Sequence, residues 1–232
     1  MKRRLIYSSL FLILLGAICY GYYYLRPRAV ASVEPDPVEF PIRGIDVSIH
    51  NGVIDFDKVK ADGYSFVFLK ASEGTDFKDR NFISNLHNAK KAGLKTGVYH
   101  FFRFDTDGQM QALNLLNSVR YQPIDFPLVI DIEEWGNPDV TTTRDIIENL
   151  RRMINYLENN NFNIMLYSNK DGYNRFIKGN FDNYPLWIGS FTTPEPEIDW
   201  SIWQYTHSGS VDGVKGNVDI NTIKTDYFRL FQ

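Results

Sequence analysis

The chain reads as an α/β protein: an irregular TIM-like β/α barrel of eight strands and fewer helices, preceded by one N-terminal transmembrane helix. Three features predict this. From residue 42 onward, short apolar runs alternate with amphipathic stretches. After residue 180 those runs come too close together to leave room for full helices. An uncharged stretch, residues 5–25, lies near the start of the sequence.

At 1.5 Å rise per residue, the stretch 5–25 would span roughly 30 Å as a helix, about the hydrocarbon thickness of a bilayer. Lys2, Arg3 and Arg4 precede it, and Tyr20, Tyr22, Tyr23 and Tyr24 stand where an interfacial aromatic belt belongs. Residues 1–25 are therefore expected to form a signal anchor, with the body exported to the periplasmic or extracellular side, although Arg26 and Arg28 weaken the charge asymmetry. Cleavage after Ala29-Val30-Ala31 would instead make the segment a signal peptide and the body a secreted protein. A signal core is only ~7–15 apolar residues, which favours the anchor. Pro27, Pro35, Pro37 and Pro41 make residues 26–41 a stiff linker, roughly 50 Å long if extended.

Residues 42–232 form the third region. Strands are expected at 42–47, 65–69, 96–101, 127–132, 164–167, 186–188 and 201–205, with a shorter one at 218–220. Between them, Ile146, Ile147, Leu150, Met153, Ile154 and Leu157 recur at helical spacing and predict a helix over 143–159. Phe82, Ile83, Leu86 and Ala89 do the same for 79–92, with Gly93 as its C-cap. Further helices fit 55–62, 108–120 and 171–178. Strand–helix alternation argues for a parallel sheet covered by helices, and eight strands suggest closure into a barrel. A doubly wound open sheet is the structural alternative.

Composition excludes several functions. Five of the 25 Lys and Arg residues precede the first acid, Glu34, so the remainder carries 20 bases against 28 acids, a charge of −8. An acidic body without basic clusters is a poor nucleic-acid binder. Cys19 is the only cysteine, so there is no intrachain disulfide and no cysteine-based zinc site. His50, His87, His100 and His207 show no paired metal-ligand spacing, and Walker, dinucleotide and GxSxG patterns are missing. Divalent metal binding by the acids would lack a recognisable ligand loop, no cofactor pattern is present, and the protein is expected to be a monomer.

In barrels of this kind chemistry collects at the C-terminal ends of strands. Those ends carry Asp46; Lys70 and Glu73; Tyr99 and His100; Asp131 and Glu133; and then Tyr167, Trp187, Gln204 and Asp219. Strand alternation puts Val129, Asp131 and Glu133 on one face and Leu128, Ile130 and Ile132 on the other, which turns both carboxylates into the barrel mouth and Glu134 away from it. Carboxylates at i and i+2 lie roughly 6.5–7 Å apart at Cα, so repulsion and desolvation raise the pKa of at least one. A protonated carboxyl beside an ionised one is the arrangement used in glycoside hydrolysis. A solvated rim, or pairing with Lys70, is the bland alternative. Asp46 and Asp219 weaken it, because closure would make the first and last strands neighbours.

The segments GIDVSIHNG (44–52), FVFLKASEGTDFKD (66–79), GLKTGVYHFFRF (93–104), PLVIDIEEW (127–135), IMLYSN (164–169), LWIGSF (186–191), IWQYT (202–206) and VDIN (218–221) together resemble glycoside hydrolase family 25, the Chalaropsis-type lysozymes. That resemblance implies a β/α barrel that cleaves the β-1,4 bond between N-acetylmuramic acid and N-acetylglucosamine in peptidoglycan glycan strands. By motif, Glu133 takes the general-acid position. Asp131 takes that of the assisting carboxylate, which orients the substrate acetamido group or acts as second catalytic carboxylate. Asp46 and Asp219 match the remaining catalytic-site acids. Lys70, Tyr99 and Tyr167 fall where the family lines its sugar subsites, and Trp187 and Gln204 at neighbouring strand ends are read as substrate-binding with them. Two alternatives remain: a chitinase-like hydrolase, which would need an acid where Val129 stands, and a silent glycan-binding module.

Overall fold

The computed structural model describes residues 33–139 and 142–232. Its sheet is built from β1 (Arg43–Val47), β2 (Phe66–Glu73), β3 (Phe77–Lys78), β4 (Lys95–Phe101), β5 (Leu128–Asp131), β6 (Ile164–Asn169), β7 (Leu186–Gly189), β8 (Ile202–Gly209) and β9 (Val218–Ile223). The strand order is β1-β9-β8-β7-β6-β5-β4-β2, and β1 also pairs with β2. Eight strands therefore close on themselves, which excludes the open sheet. The short strand β3 is a hairpin partner of β2, outside the closed ring.

The sheet is not wholly parallel, as the strand–helix alternation suggested. β9 runs antiparallel to both β1 and β8, while the other pairs around the ring are parallel. The cause is chain length. Only a short loop separates β8 from β9, too little for the dozen or more residues that a parallel crossover needs. Asp219 consequently stands near the start of its strand rather than at its end, yet at the same mouth of the barrel as the C-terminal ends of the others.

Helices α1 (Phe56–Ala61), α2 (Phe82–Lys91), α3 (Gly108–Val119) and α4 (Thr143–Asn159) cover the first half of the barrel, and α5 (Thr225–Arg229) ends the chain. Asp55, Asp107 and Thr142 cap α1, α3 and α4, each accepting a backbone N–H of the first turn. The helix expected over 171–178 is one α-turn, Lys170–Gly172, that runs into a π-helical turn, Tyr173–Ile177.

Two apolar layers hold this arrangement. Outward-facing strand residues such as Ile45, Val67, Leu69, Val98, Ile130, Leu166 and Ile188 pack under the helices. Inward-facing Phe66, Phe68, Val129, Met165, Trp187, Ile202 and Ile223 fill the barrel itself. The end opposite the mouth is plugged by Phe126 with Phe228 and Phe231, whose rings lie 6.2 and 4.7 Å from that of Phe126. Two glycines make room for the interior rings. A Cβ at Gly44 would sit 2.2 Å from Phe66, and one at Gly97 would sit 2.1 Å from Phe68. The interior is thus a packed core up to the mouth, and only the top layer is polar.

The expected anchor, residues 5–25, lies outside the described residues. Among the described residues no helix is long and apolar enough to cross a membrane. The latter part of the proline-rich segment lies on the barrel: the Val33 N–H donates to the Phe191 carbonyl, and the Phe40 ring packs 5.4 Å from Trp200 and 6.4 Å from Trp203.

Candidate active site

A cavity of about 1070 Å³ opens at the mouth of the barrel. Its lining includes Asp46, Lys70, Tyr99, Asp131, Glu133, Tyr167, Trp187, Gln204 and Asp219, so all nine site residues read from the sequence converge there. A separate hollow of about 540 Å³ lies between α1 and the Gly213–Lys215 turn, and its charged side chains, such as Lys58, Lys91 and Lys215, are solvent-exposed. The chemistry belongs to the mouth.

Strand pleating explains the convergence, with one exception. Along β2, strict alternation from Lys70 would send Glu73 to the helix-covered side. The pairing of β2 with β4 slips between Lys70 and Ser72, a bulge that inserts Ala71 and returns Glu73 to the mouth. There Lys70 Nζ donates to Glu73 Oε2 at 2.7 Å, and Arg103 Nη1 lies 3.6 Å from Glu73 Oε1. Lys70 is therefore engaged by Glu73 rather than by the paired acids.

Behind the bulge, buried Ser72 Oγ lies 2.8 Å from His100 Nδ1, and His100 Nε2 lies 3.1 Å from Gln111 Oε1 on α3. Burial lowers the His100 pKa to about 4, so the ring is neutral. Because Gln111 Oε1 can only accept, Nε2 carries the proton and Nδ1 accepts from Ser72. The same Gln111 accepts the Arg103 N–H and donates to the Arg103 and Thr106 carbonyls. His100 thus fastens the loop after β4 from outside the cavity and takes no direct part in the site.

On the opposite wall, Asp46 Oδ2 accepts from Gln204 Nε2 at 2.9 Å and from Asn221 Nδ2 at 2.8 Å. Gln204 Oε1 accepts from the Tyr167 hydroxyl at 2.8 Å, and Asn221 Oδ1 accepts from Trp187 Nε1 at 2.9 Å. Burial and the surrounding acids hold the Tyr167 hydroxyl well above its ordinary pKa, so it remains a donor. Trp187 is packed on Phe68 and Tyr167 inside the barrel, and Gln204 is committed at both ends. Both position Asp46, Gln204 directly and Trp187 through Asn221.

The acids are shifted upward together. Burial raises the pKa of Asp46 against the amide donors of Asn221 and Gln204. Asp219, hydrogen-bonded to Asp46, is pushed up to about 8 by burial and by the Asp46 charge. Burial and the Glu133 charge lift Asp131 well above the carboxylate range. Burial raises Glu133 to about 7, against the Asn169 amide, whose Nδ2 donates to Glu133 Oε2 at 3.3 Å. Asp131 Oδ1 is buried with no hydrogen-bond partner among the described residues. Glu134 is turned away to Arg175, 3.2 Å distant, as strand alternation required.

Sequence reasoning missed Asn169 and Asn221. Each lies two residues beyond a residue it did select, Tyr167 and Asp219, so extending those strands by one pleat would have reached them. Among the described residues no cluster of His, Cys, Asp and Glu has the arrangement of a metal site.

A closed barrel with a carboxyl pair of raised pKa at its mouth places the protein among the β/α-barrel glycoside hydrolases. More narrowly, the chain belongs to the Glycosyl hydrolases family 25, whose sequence profile matches residues 45–214. The structure of a family 25 glycosyl hydrolase from Bacillus anthracis is similar with a TM-score of 0.78, at 31% identity, over 87% of this chain and 97% of that one. A bacterial lysozyme from Streptomyces coelicolor gives 0.72 at 29% identity, over 82% and 95% of the two chains. Lysozyme M1 of Streptomyces globisporus is 32% identical over 212 residues, covering 82% of this chain and 70% of its own.

Proposed function

We propose that the protein is a muramidase that hydrolyses the β-1,4 bond between N-acetylmuramic acid and N-acetylglucosamine in bacterial peptidoglycan, with Glu133 as general acid and Asp131 assisting. The observation that carries this is the pair of buried Asp131 and half-buried Glu133 at the mouth of a family 25 barrel. Lysozyme relatives support the substrate class.

The pair's chemistry follows from its surroundings. Each acid at this partly desolvated mouth raises the cost of ionising the other, so the pair holds a proton between them. Asp131 has a bare buried oxygen, and Glu133 faces the cavity with the Asn169 amide beside it. A substrate acetamido N–H donating to Asp131 favours the ionised form there and leaves the proton on Glu133. Glu133 then gives it to the glycosidic oxygen as the bond to the anomeric carbon breaks, while the Asp131 charge stabilises the cationic sugar or its acetamido-derived intermediate. Water completes the hydrolysis.

Val129, buried in the barrel core, occupies the position where a chitinase-like site would carry a further acid. Digestion of purified peptidoglycan followed by mass spectrometry tests the assignment. New reducing ends on N-acetylmuramic acid support it. Reducing ends on N-acetylglucosamine, or no soluble fragments, refute it.

The protein is further proposed to act as a monomer held at the outer face of a membrane by residues 5–25, on the strength of their apolar length and preceding bases. Alkaline extraction of membranes and gel filtration of the detergent-solubilised protein test those two points.

A further inference from the structure

We infer that Trp135 is a sugar-stacking platform on the rim of the cleft, whose indole face holds a pyranose ring of the glycan next to the bond that Glu133 acts on. This rests on the glycan-cleaving reading above. Four tryptophans occur in the chain. Trp187, Trp200 and Trp203 are 2, 8 and 2% exposed and belong to the packed interior, whereas Trp135 is 79% exposed and lines the catalytic cavity two residues beyond Glu133.

An exposed indole on a loose loop would fold back onto nearby apolar surface. Here the loop is tied on every side. Asn137 Nδ2 donates to the carbonyls of Phe102 and Glu133, both at 2.9 Å, and Asn137 Oδ1 accepts the Phe104 N–H at 2.9 Å. The Asn137 N–H closes a turn onto the Glu134 carbonyl, and Arg103 Nη1 donates to the Gly136 carbonyl. Arg175 holds Glu134 on the far side. Gly136 takes φ +77° against the Phe101 ring, a left-handed conformation that suits glycine. These bonds run to the same β4 and β5 loops that frame the acids, so the indole is carried on the frame that carries Glu133.

A large apolar face exposed beside a polar cleft fits a ligand that presents alternating apolar faces and polar edges. β-1,4-linked N-acetylated aminosugars have that character: the axial C–H face of the ring covers the indole while hydroxyl and acetamido groups point to the acids. With the backbone already fixed, binding has only the two side-chain torsions of the indole to order.

The test uses Trp135→Ala and Trp135→Phe in the full-length protein, with thermal melting as a folding control. Loss of the platform should raise KM for peptidoglycan about tenfold while kcat falls less, and Phe should recover much of the loss. Because the other indoles are buried, acrylamide-quenchable emission reports Trp135. A purified disaccharide-repeat tetrasaccharide from peptidoglycan should shield it. An unchanged KM in Trp135→Ala, or unchanged quenching at saccharide concentrations that saturate the wild type, overturns the proposal. Shielding without cleavage would keep the platform and remove the hydrolase; cleavage without shielding would do the reverse.

Discussion

Asp46 on β1 and Asp219 on β9 are direct cross-strand partners at the seam where the barrel closes, with their carboxyls hydrogen-bonded to each other. The amides around them decide which one holds the proton. Asp46 receives N–H groups from Gln204 and Asn221, whose carbonyl ends are taken by Tyr167 and Trp187. Trp187 Nε1 can only donate, so the Asn221 amide points one way, which makes Asp46 the acceptor and Asp219 the protonated partner. Closure of the fold and electrostatics of the site are thus the same contact.

Asp219→Asn should stabilise the protein in a pH-dependent way. The Asp219 pKa is about 8 in the folded protein against an ordinary 3.8, so the folded state binds the extra proton between those values. Its contribution to stability is fully present below the unfolded pKa and is lost as pH rises towards 8. Asparagine keeps a donor for Asp46 and does not titrate. The melting-temperature gap between variant and wild type should therefore be larger at pH 8.5 than at pH 4.5, each kcal/mol counting about 2–4 °C in a domain of this size. An equal gap at both pH values would show that the proton sits elsewhere.

The pH–rate profile should report Glu133. Its pKa of about 7 sets an alkaline limb, since activity needs the protonated acid and falls as pH rises through that value. Asn169 donates to the ionised form and so holds the pKa down. Asn169→Ser retains an oxygen for the Gly172 N–H that Asn169 now caps, but is too short to reach Glu133. The limb should move to higher pH in that variant. Movement to lower pH, measured as kcat/KM, would remove Asn169 from the proton balance.

Gly97→Ala probes the barrel filling. The added methyl would stand 2.1 Å from the Phe68 ring, which is wedged against Phe126 and Trp187 at 5.0 and 4.7 Å between ring centres. Overpacking of this kind costs about 1–3 kcal/mol. Differential scanning calorimetry should show a melting point several degrees lower, and an unchanged one would mean that the interior is looser than its packing indicates.

Much of this architecture was legible because period-two alternation survives burial. Val129, Asp131 and Glu133 could be assigned to one face from spacing alone, and so could the outward turn of Glu134. Direction was not legible in the same way: VDINTI alternates identically whichever way the strand runs, so the antiparallel β9 required its partners. The β2 bulge was hidden too, because the run Lys70-Ala71-Ser72-Glu73 contains neither glycine nor proline to mark a break. Phe40 was assigned to a spacer because its partners, Trp200 and Trp203, lie 160 residues or more away in the chain. Asn169 acts through a hydrogen bond that needs β5 and β6 paired, and Asn221 through one that needs β9 beside β1.

The most direct test of the account is the rate of muropeptide release by Glu133→Gln, measured under saturating peptidoglycan beside the wild type. Glutamine keeps the shape of the side chain and cannot donate the proton. The rate should fall about 10²–10⁴-fold, the usual contribution of a general acid, while binding to insoluble peptidoglycan is retained. A variant that keeps a rate within a few fold of wild type would contradict the assignment of Glu133 and with it the chemistry proposed for the mouth of the barrel.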